Sequence, residues 1–148
     1  MKIDYKNKEI IRSRDVYVHD STFEGFTYHE EEQKLSFRMK NWFLNKYFKI
    51  DFYNTINIDC KLCKFWGGGD SVADFDLWVG EELIEELKGM NDVKKFKNAH
   101  SLLDEKTDYI EAYFIMNSGD EIRIACEYII FEEEPLEEDE NQQISKNI

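Results

Sequence analysis

Apolar residues recur at every second position through much of the chain, which is the period of a strand with one buried and one solvated face. Leu35, Phe37 and Met39 alternate with Ser36, Arg38 and Lys40. A longer run places Phe48, Ile50, Phe52, Ile56, Ile58, Cys60 and Leu62 on even positions, opposite Lys49, Asp51, Tyr53, Asn57, Asp59 and Lys61. Strands of about five or six residues are usual. The pattern therefore predicts a strong bend near Tyr53-Asn54-Thr55. Phe75, Leu77 and Val79 alternate with Asp74, Asp76 and Trp78 and predict another short strand.

Two elements can be registered from parity. Ile110, Ala112, Phe114 and Met116 form one even set, and Ile122, Ile124, Cys126, Tyr128 and Ile130 another. A three-residue loop, Asn117-Ser118-Gly119, puts both sets on one face, pairs Phe114 with Ile122, and seats Gly119 at the left-handed position of such a hairpin. Val16-Tyr17-Val18 predicts entry into a strand that continues past Phe23, Phe26 and Tyr28. Phe23 and Phe26 differ in parity, so a bulge is expected at Gly25. The stretch before Arg14 reads as a loop or an edge element, and Glu30-Glu31-Glu32-Gln33 as a connection. Residues 81–88 predict a helix, with acids in its first turn, Leu83, Ile84 and Leu87 on one stripe and Gly89 after its end. Residues 92–98 could form a second. The expectation is a mainly β (α+β) fold, an antiparallel and strongly bent sheet, sandwich or partly open barrel of six or seven strands with one or two short helices.

Composition agrees with strands: aromatics make up 15% of the 148 residues, whereas Ala occurs four times. The net charge is −13. Residues 132–148 hold seven acids and one base, a net −6, which leaves −7 for residues 1–131. The domain is thus expected to occupy 1–131, followed by a disordered acidic tail over 132–148 that lacks the apolar content to offset ordering. Nucleic acids and anionic membranes require clustered bases, and four Arg in an acidic chain argue against both as partners. No apolar stretch approaches a membrane span, no secretory signal is evident, and three Cys do not suggest a disulfide framework. A cytoplasmic protein is expected. Fifteen Lys against four Arg, with many Ile and Asn, suggests an AT-rich bacterial genome.

His19-Asp20-Ser21 contains the residue types of a hydrolase triad. On a strand, however, consecutive side chains diverge, so His19 and Asp20 are not expected to share a site. Asp20 and Ser21 are expected to satisfy backbone groups at a bulge or turn. Cys60-Lys61-Leu62-Cys63 has the spacing of half a zinc knuckle but no second pair, and reads as free, buried thiol. Gly67-Gly68-Gly69 lacks the Lys-Ser/Thr of a phosphate loop, and Asp70 would repel phosphate. Asp70, Asp74 and Asp76 lack the spacing of a calcium loop. No metal, cofactor or catalytic residue is expected. Glu81/Glu85 and Glu82/Glu86 are like-charged pairs four apart, disfavoured by helix energetics and available as an acidic contact face.

The segments Val16-Tyr17-Val18-His19-Asp20-Ser21, Phe52-Tyr53-Asn54-Thr55-Ile56-Asn57-Ile58 and Gly119-Asp120-Glu121-Ile122-Arg123-Ile124-Ala125-Cys126-Glu127 resemble small uncharacterised bacterial β-rich proteins. Some of these are immunity proteins of polymorphic toxin systems. The likeness spans residues 16–131 and implies no catalytic residues. The leading functional expectation is a non-catalytic protein-interaction module, an immunity-type inhibitor of a basic, toxin-like partner, with Glu82 and Glu86 in the contact. The alternative is a small-ligand-binding protein or small enzyme. Trp42, Trp66, Trp78 and the glycine loop around Gly68 would line its pocket, with His19 or Asp20 at the rim and Asp70 a further candidate for ligand or partner binding. A structural homodimer joined through exposed edge strands is the third.

Overall fold

The computed structural model describes residues 1–12, 16, 18–60, 72–79, 86 and 108–135. These form two antiparallel sheets. The larger contains β1 (Lys2–Ile3), β9 (Tyr128–Pro135), β4 (Lys46–Tyr53), β3 (Lys34–Asn41) and β2 (Thr22–His29), in that order. The smaller runs β5 (Asn57–Cys60), β8 (Glu121–Cys126), β7 (Ile110–Met116) and β6 (Val72–Val79). Neither sheet closes into a barrel. Among the described residues helix is confined to a 3₁₀ turn over Lys8–Arg12 and to the helical residue Glu86. The rest of the expected helix over 81–88, and all of 92–98, lie outside the described residues.

The inward faces of the two sheets share one core. Phe37 lies at its middle, with ring centroids 5.1 Å from Phe23, 5.2 Å from Phe52 and 5.6 Å from Phe114. Phe37, Phe52, Phe114, Ile50, Ile110, Ile122 and Ile124 are fully buried. Removing one such ring from a core costs about 3–5 kcal/mol. The alternation read from β3 and β4 therefore corresponds to burial, with two departures: Lys40 and Asn41, at the end of β3, and Tyr47 and Asp51, on the other face of β4, are buried too.

Several sequence expectations hold in detail. Phe114 pairs with Ile122 and Ala112 with Ile124. Gly119 has φ +88°, and its amide donates to the Met116 carbonyl at 2.9 Å. The register of β2 against β3 shifts between Phe23 and Gly25, so Phe23 and Phe26 both reach the side of Met39 and Phe37. The N-terminal stretch supplies the edge strand β1, and the Met1 ammonium donates to the Phe131 carbonyl at 2.9 Å.

The nine strands among the described residues exceed the expected six or seven because two long runs break as they pass between sheets. The run from 48 ends as β4 at Tyr53 and resumes as β5 in the other sheet. The run from 122 breaks at Glu127 between β8 and β9. Both breaks meet at one corner. Asn54, with φ +52°, donates its side-chain amide to Glu127 at 2.5 Å; the Glu127 amide donates to the Tyr53 carbonyl at 3.1 Å. The turn at Glu127 also inverts parity, so Ile129 and Phe131 enter the core while Tyr128 and Ile130 remain half-buried outside it. That corrects the single face assigned to 122–130.

Three further corrections follow from position. Val16 and Val18 are buried but belong to an irregular segment, and β2 begins only at Thr22. Strand β9 continues past Phe131 to Pro135, held against β4 and by Lys46 Nζ 2.9 Å from Glu133 Oε2, so the first residues assigned to a disordered tail are strand. Pro135 is tolerated because it ends the strand. Cys60 shares a face of β5 with Ile58 and pairs with Ile122, but β5 is an edge strand and leaves this thiol exposed, not buried as expected; Cys126 is the buried thiol. Among the described residues no helix is long and apolar enough to cross a membrane.

Candidate functional site

The most conspicuous exposed chemistry lies in the loop that joins β3 to β4. Asn41 and Lys46 are paired across the hairpin, and Trp42, Phe43, Leu44 and Asn45 form the turn between them. Asn45 takes φ +54°, a conformation Asn adopts more readily than most residues. Trp42 is 63% exposed, Phe43 81% and Leu44 45%. Three adjacent large apolar side chains in water contribute little to folding, and exposure of that kind marks contact surfaces.

A buried amide fixes this loop from below. Asn41 is fully buried at the end of β3. Its side-chain nitrogen donates to Ser21 Oγ at 3.2 Å and to the His19 carbonyl at 3.3 Å, while its oxygen accepts from the Leu44 amide at 2.9 Å. One side chain thus ties the apolar turn to a second turn, closed by the Ser21 amide donating to the Val18 carbonyl at 3.0 Å. The Trp42 indole donates to Thr22 Oγ1 at 3.3 Å, and Lys40 Nζ stands 4.0 Å from the Trp42 ring centroid. Lys40 also faces Tyr47 at 5.1 Å, and the Arg38 guanidinium covers that ring at 4.1 Å. Trp42 is therefore held in one orientation, and Phe43 is the most exposed of the three.

The turn also revises the reading of His19 and Asp20. Both lie outside β2, and Asp20 has φ +64°. His19 Nδ1 comes within 2.9 Å of Asp20 Oδ2, so the two share a site after all; the argument from strand alternation fails because no strand is present. Ser21 is fully buried with its hydroxyl held by Asn41, and so is not presented to a substrate. Asp20 and Ser21 thus stand at a turn, but their side chains meet those of His19 and Asn41 rather than the backbone groups expected.

Of the other sequence candidates, Trp66, Gly68, Asp70 and Glu82 lie outside the described residues. Trp78 is placed by backbone register opposite Glu111 on β7, and Glu86 is exposed. Trp42 stands on an exposed turn rather than in a pocket wall, and it is the preceding Asn41 whose amide reaches the His19 carbonyl. Among the described residues no three His, Cys, Asp or Glu side chains group as metal ligands. A shallow groove of about 510 Å³ on the outer side of β2 and β3 is lined by Glu24, Thr27, Ser36, Arg38, Lys49 and Glu134, two acids against two bases. Burial pushes the Cys126 and Cys60 thiols above their usual range, Cys126 far above, which makes both poor nucleophiles. The Tyr113 hydroxyl donates to Glu121 Oε1 at 2.6 Å, which holds its proton more tightly than usual.

No family model matches the chain, and no curated protein matches it. The crystal structure of an uncharacterized protein from Neisseria gonorrhoeae is similar over 92% of this chain and 99% of its own, at 15% identity and a TM-score of 0.47.

Proposed function

We propose that the protein is a non-catalytic interaction module that inserts the Trp42-Phe43-Leu44 turn into an apolar pocket of a basic protein. The observation that carries this reading is the exposure of those three side chains on a turn braced by Asn41. Aromatic anchors held rigid before binding lose little entropy on docking, and such residues dominate interface energetics. Charge supplies the partner's sign. The chain is net −13, and the sequence runs on from Pro135, paired with Lys46 beside the apolar turn, into Leu136-Glu137-Glu138-Asp139-Glu140. The net negative charge of the chain as a whole speeds encounter with a basic protein. The resemblance to immunity proteins makes a secreted or injected toxin the particular partner to try.

The test offers the immobilised full-length chain to purified basic proteins, beginning with the product of the neighbouring gene. A partner should bind the native chain, weaken with rising salt, and lose at least about tenfold in affinity against a Trp42→Ser/Phe43→Ser variant. A partner whose affinity ignores that double substitution would remove the turn from the reading.

A further inference from the structure

The larger sheet ends at β2, an edge strand whose usual protections, the charge of Glu24 and the bulge at Gly25, are confined to its first half. Phe26, Thr27, Tyr28 and His29 are all exposed, so among the described residues nothing covers either face of this segment. Phe26 and Tyr28 lie opposite Phe37 and Leu35, on the side of the sheet that faces the core, yet are 54% and 46% exposed. An edge strand presents unpaired backbone amides and carbonyls that template another strand. Natural edges are blunted with Lys or Pro, and Thr22–His29 contains neither. The bulge at Gly25 leaves residues 25–29 as a straight segment of regular pairing.

We propose that a second copy of this chain adds to β2 in antiparallel register about a two-fold axis at Thr27, joining two five-stranded sheets into one of ten. The choice of a second copy follows from the symmetry of the segment. Residues facing each other across antiparallel strands must share a face. Every two-fold centred on a residue meets that condition, and the centre at Thr27 is the one that matches like with like across the straight segment: Thr27 meets Thr27 of the second copy, and Phe26 meets its Tyr28, twice. Aromatic pairs and Thr pairs are favourable cross-strand neighbours. His29 then meets Gly25 of the other copy and comes beside its Glu24, within reach of a hydrogen bond at each end. Glu24 and Glu30 also oppose each other there, so this dimer should tighten as salt rises and screens them. The inference is independent of the apolar turn, which lies at the other end of β3.

Sedimentation velocity of the full-length chain across micromolar to near-millimolar concentration provides the first readout. Dimer is expected, more of it at high salt, and Phe26→Lys/Tyr28→Lys should raise the dimer dissociation constant by roughly tenfold or more without altering the β circular dichroism. The second readout is register. Paired Cα atoms in an antiparallel ladder stand about 4.5–5.5 Å apart, within disulfide reach. Thr27→Cys in a Cys60→Ser/Cys63→Ser background should therefore form an intermolecular disulfide under mild oxidation, whereas Thr22→Cys should not. A monomer at every concentration and salt would overturn the proposal. So would a dimer that fails to cross-link at Thr27, or one abolished by Phe43→Ser and retained by the β2 variant.

Discussion

The two loops at the ends of β3 are built alike and composed as opposites. Each has four residues, 30–33 between paired His29 and Lys34, and 42–45 between paired Asn41 and Lys46. Each closes with a residue in the left-handed region, Gln33 at φ +47° and Asn45 at φ +54°. One reads Glu30-Glu31-Glu32-Gln33 and the other Trp42-Phe43-Leu44-Asn45. The acidic loop shows what the backbone requires of such a turn: solvated side chains, the Gln33 amide donating to the Glu30 carbonyl at 3.2 Å, and a surface ion pair between Glu32 and Lys34 at 3.2 Å. The apolar loop meets the same backbone demand with side chains that water disfavours. Turn geometry therefore does not account for Trp42, Phe43 and Leu44; the partner contact proposed above would.

The largest effect expected from breaking this comparison lies beneath the apolar loop. Asn41→Ala removes two donated hydrogen bonds and one accepted bond at a fully buried site, and leaves the Leu44 amide and Ser21 hydroxyl without them. Orphaned buried polar groups cost about 1 kcal/mol or more apiece, so about 3 kcal/mol is expected in denaturant unfolding, or roughly 10 °C in melting temperature. Glu31→Ala, in the acidic loop, should stay within about 0.5 kcal/mol of the native chain. If the two substitutions cost the same, Asn41 does not brace the turn.

Legibility in the sequence followed the same divide between local and long-range causes. Gly25 and Gly119 announced a bulge and a hairpin because a left-handed or irregular backbone leaves a residue-level mark. The corner at Asn54 and Glu127 left a fainter one. Asn54 interrupted an apolar run, but Glu127 looked like any solvent-facing residue, and only their contact explains why Tyr128 and Ile130 leave the core face. Cys60 sat on the expected face, but its exposure depends on β5 being an edge, which parity cannot supply. Strand alternation separated His19 from Asp20 on the premise of a strand, when a turn held by Asn41 brings them together. Trp42 entered the expectations as a pocket wall; its place on an exposed tip could be sensed only from three large apolar residues bracketed by the turn-forming Asn41 and Asn45.

A smaller effect should separate the loops at their closing residues. Gln33 bears a side chain that disfavours φ +47°, a cost of about 1 kcal/mol that glycine relieves, partly offset by glycine's greater freedom in the unfolded chain. Gln33→Gly is therefore expected to raise stability by about 0.5 kcal/mol. Asn tolerates the left-handed region better, so Asn45→Gly should leave stability level or lower it by a few tenths of a kcal/mol. Urea midpoints measured side by side would decide the matter. An equal gain at both positions would mean that the apolar loop stores backbone strain that the acidic loop also stores, and that its composition alone distinguishes it.

The smallest expected change in stability carries the most information about function. Phe43 is 81% exposed, so its ring removes little area from water on folding, and Phe43→Ser should alter unfolding by less than about 0.5 kcal/mol. A conserved fold with a lost apolar tip is then available for comparison with native protein. If the ring exists for contact, the variant should be more soluble, should bind less of an apolar dye such as ANS, and should lose affinity for any partner that engages the turn. A cost above about 1.5 kcal/mol would instead mean that Phe43 is buried against part of this same chain in solution. The apolar loop would then be a folding contact like any other, and its difference from Glu30-Glu31-Glu32-Gln33 would carry no functional meaning.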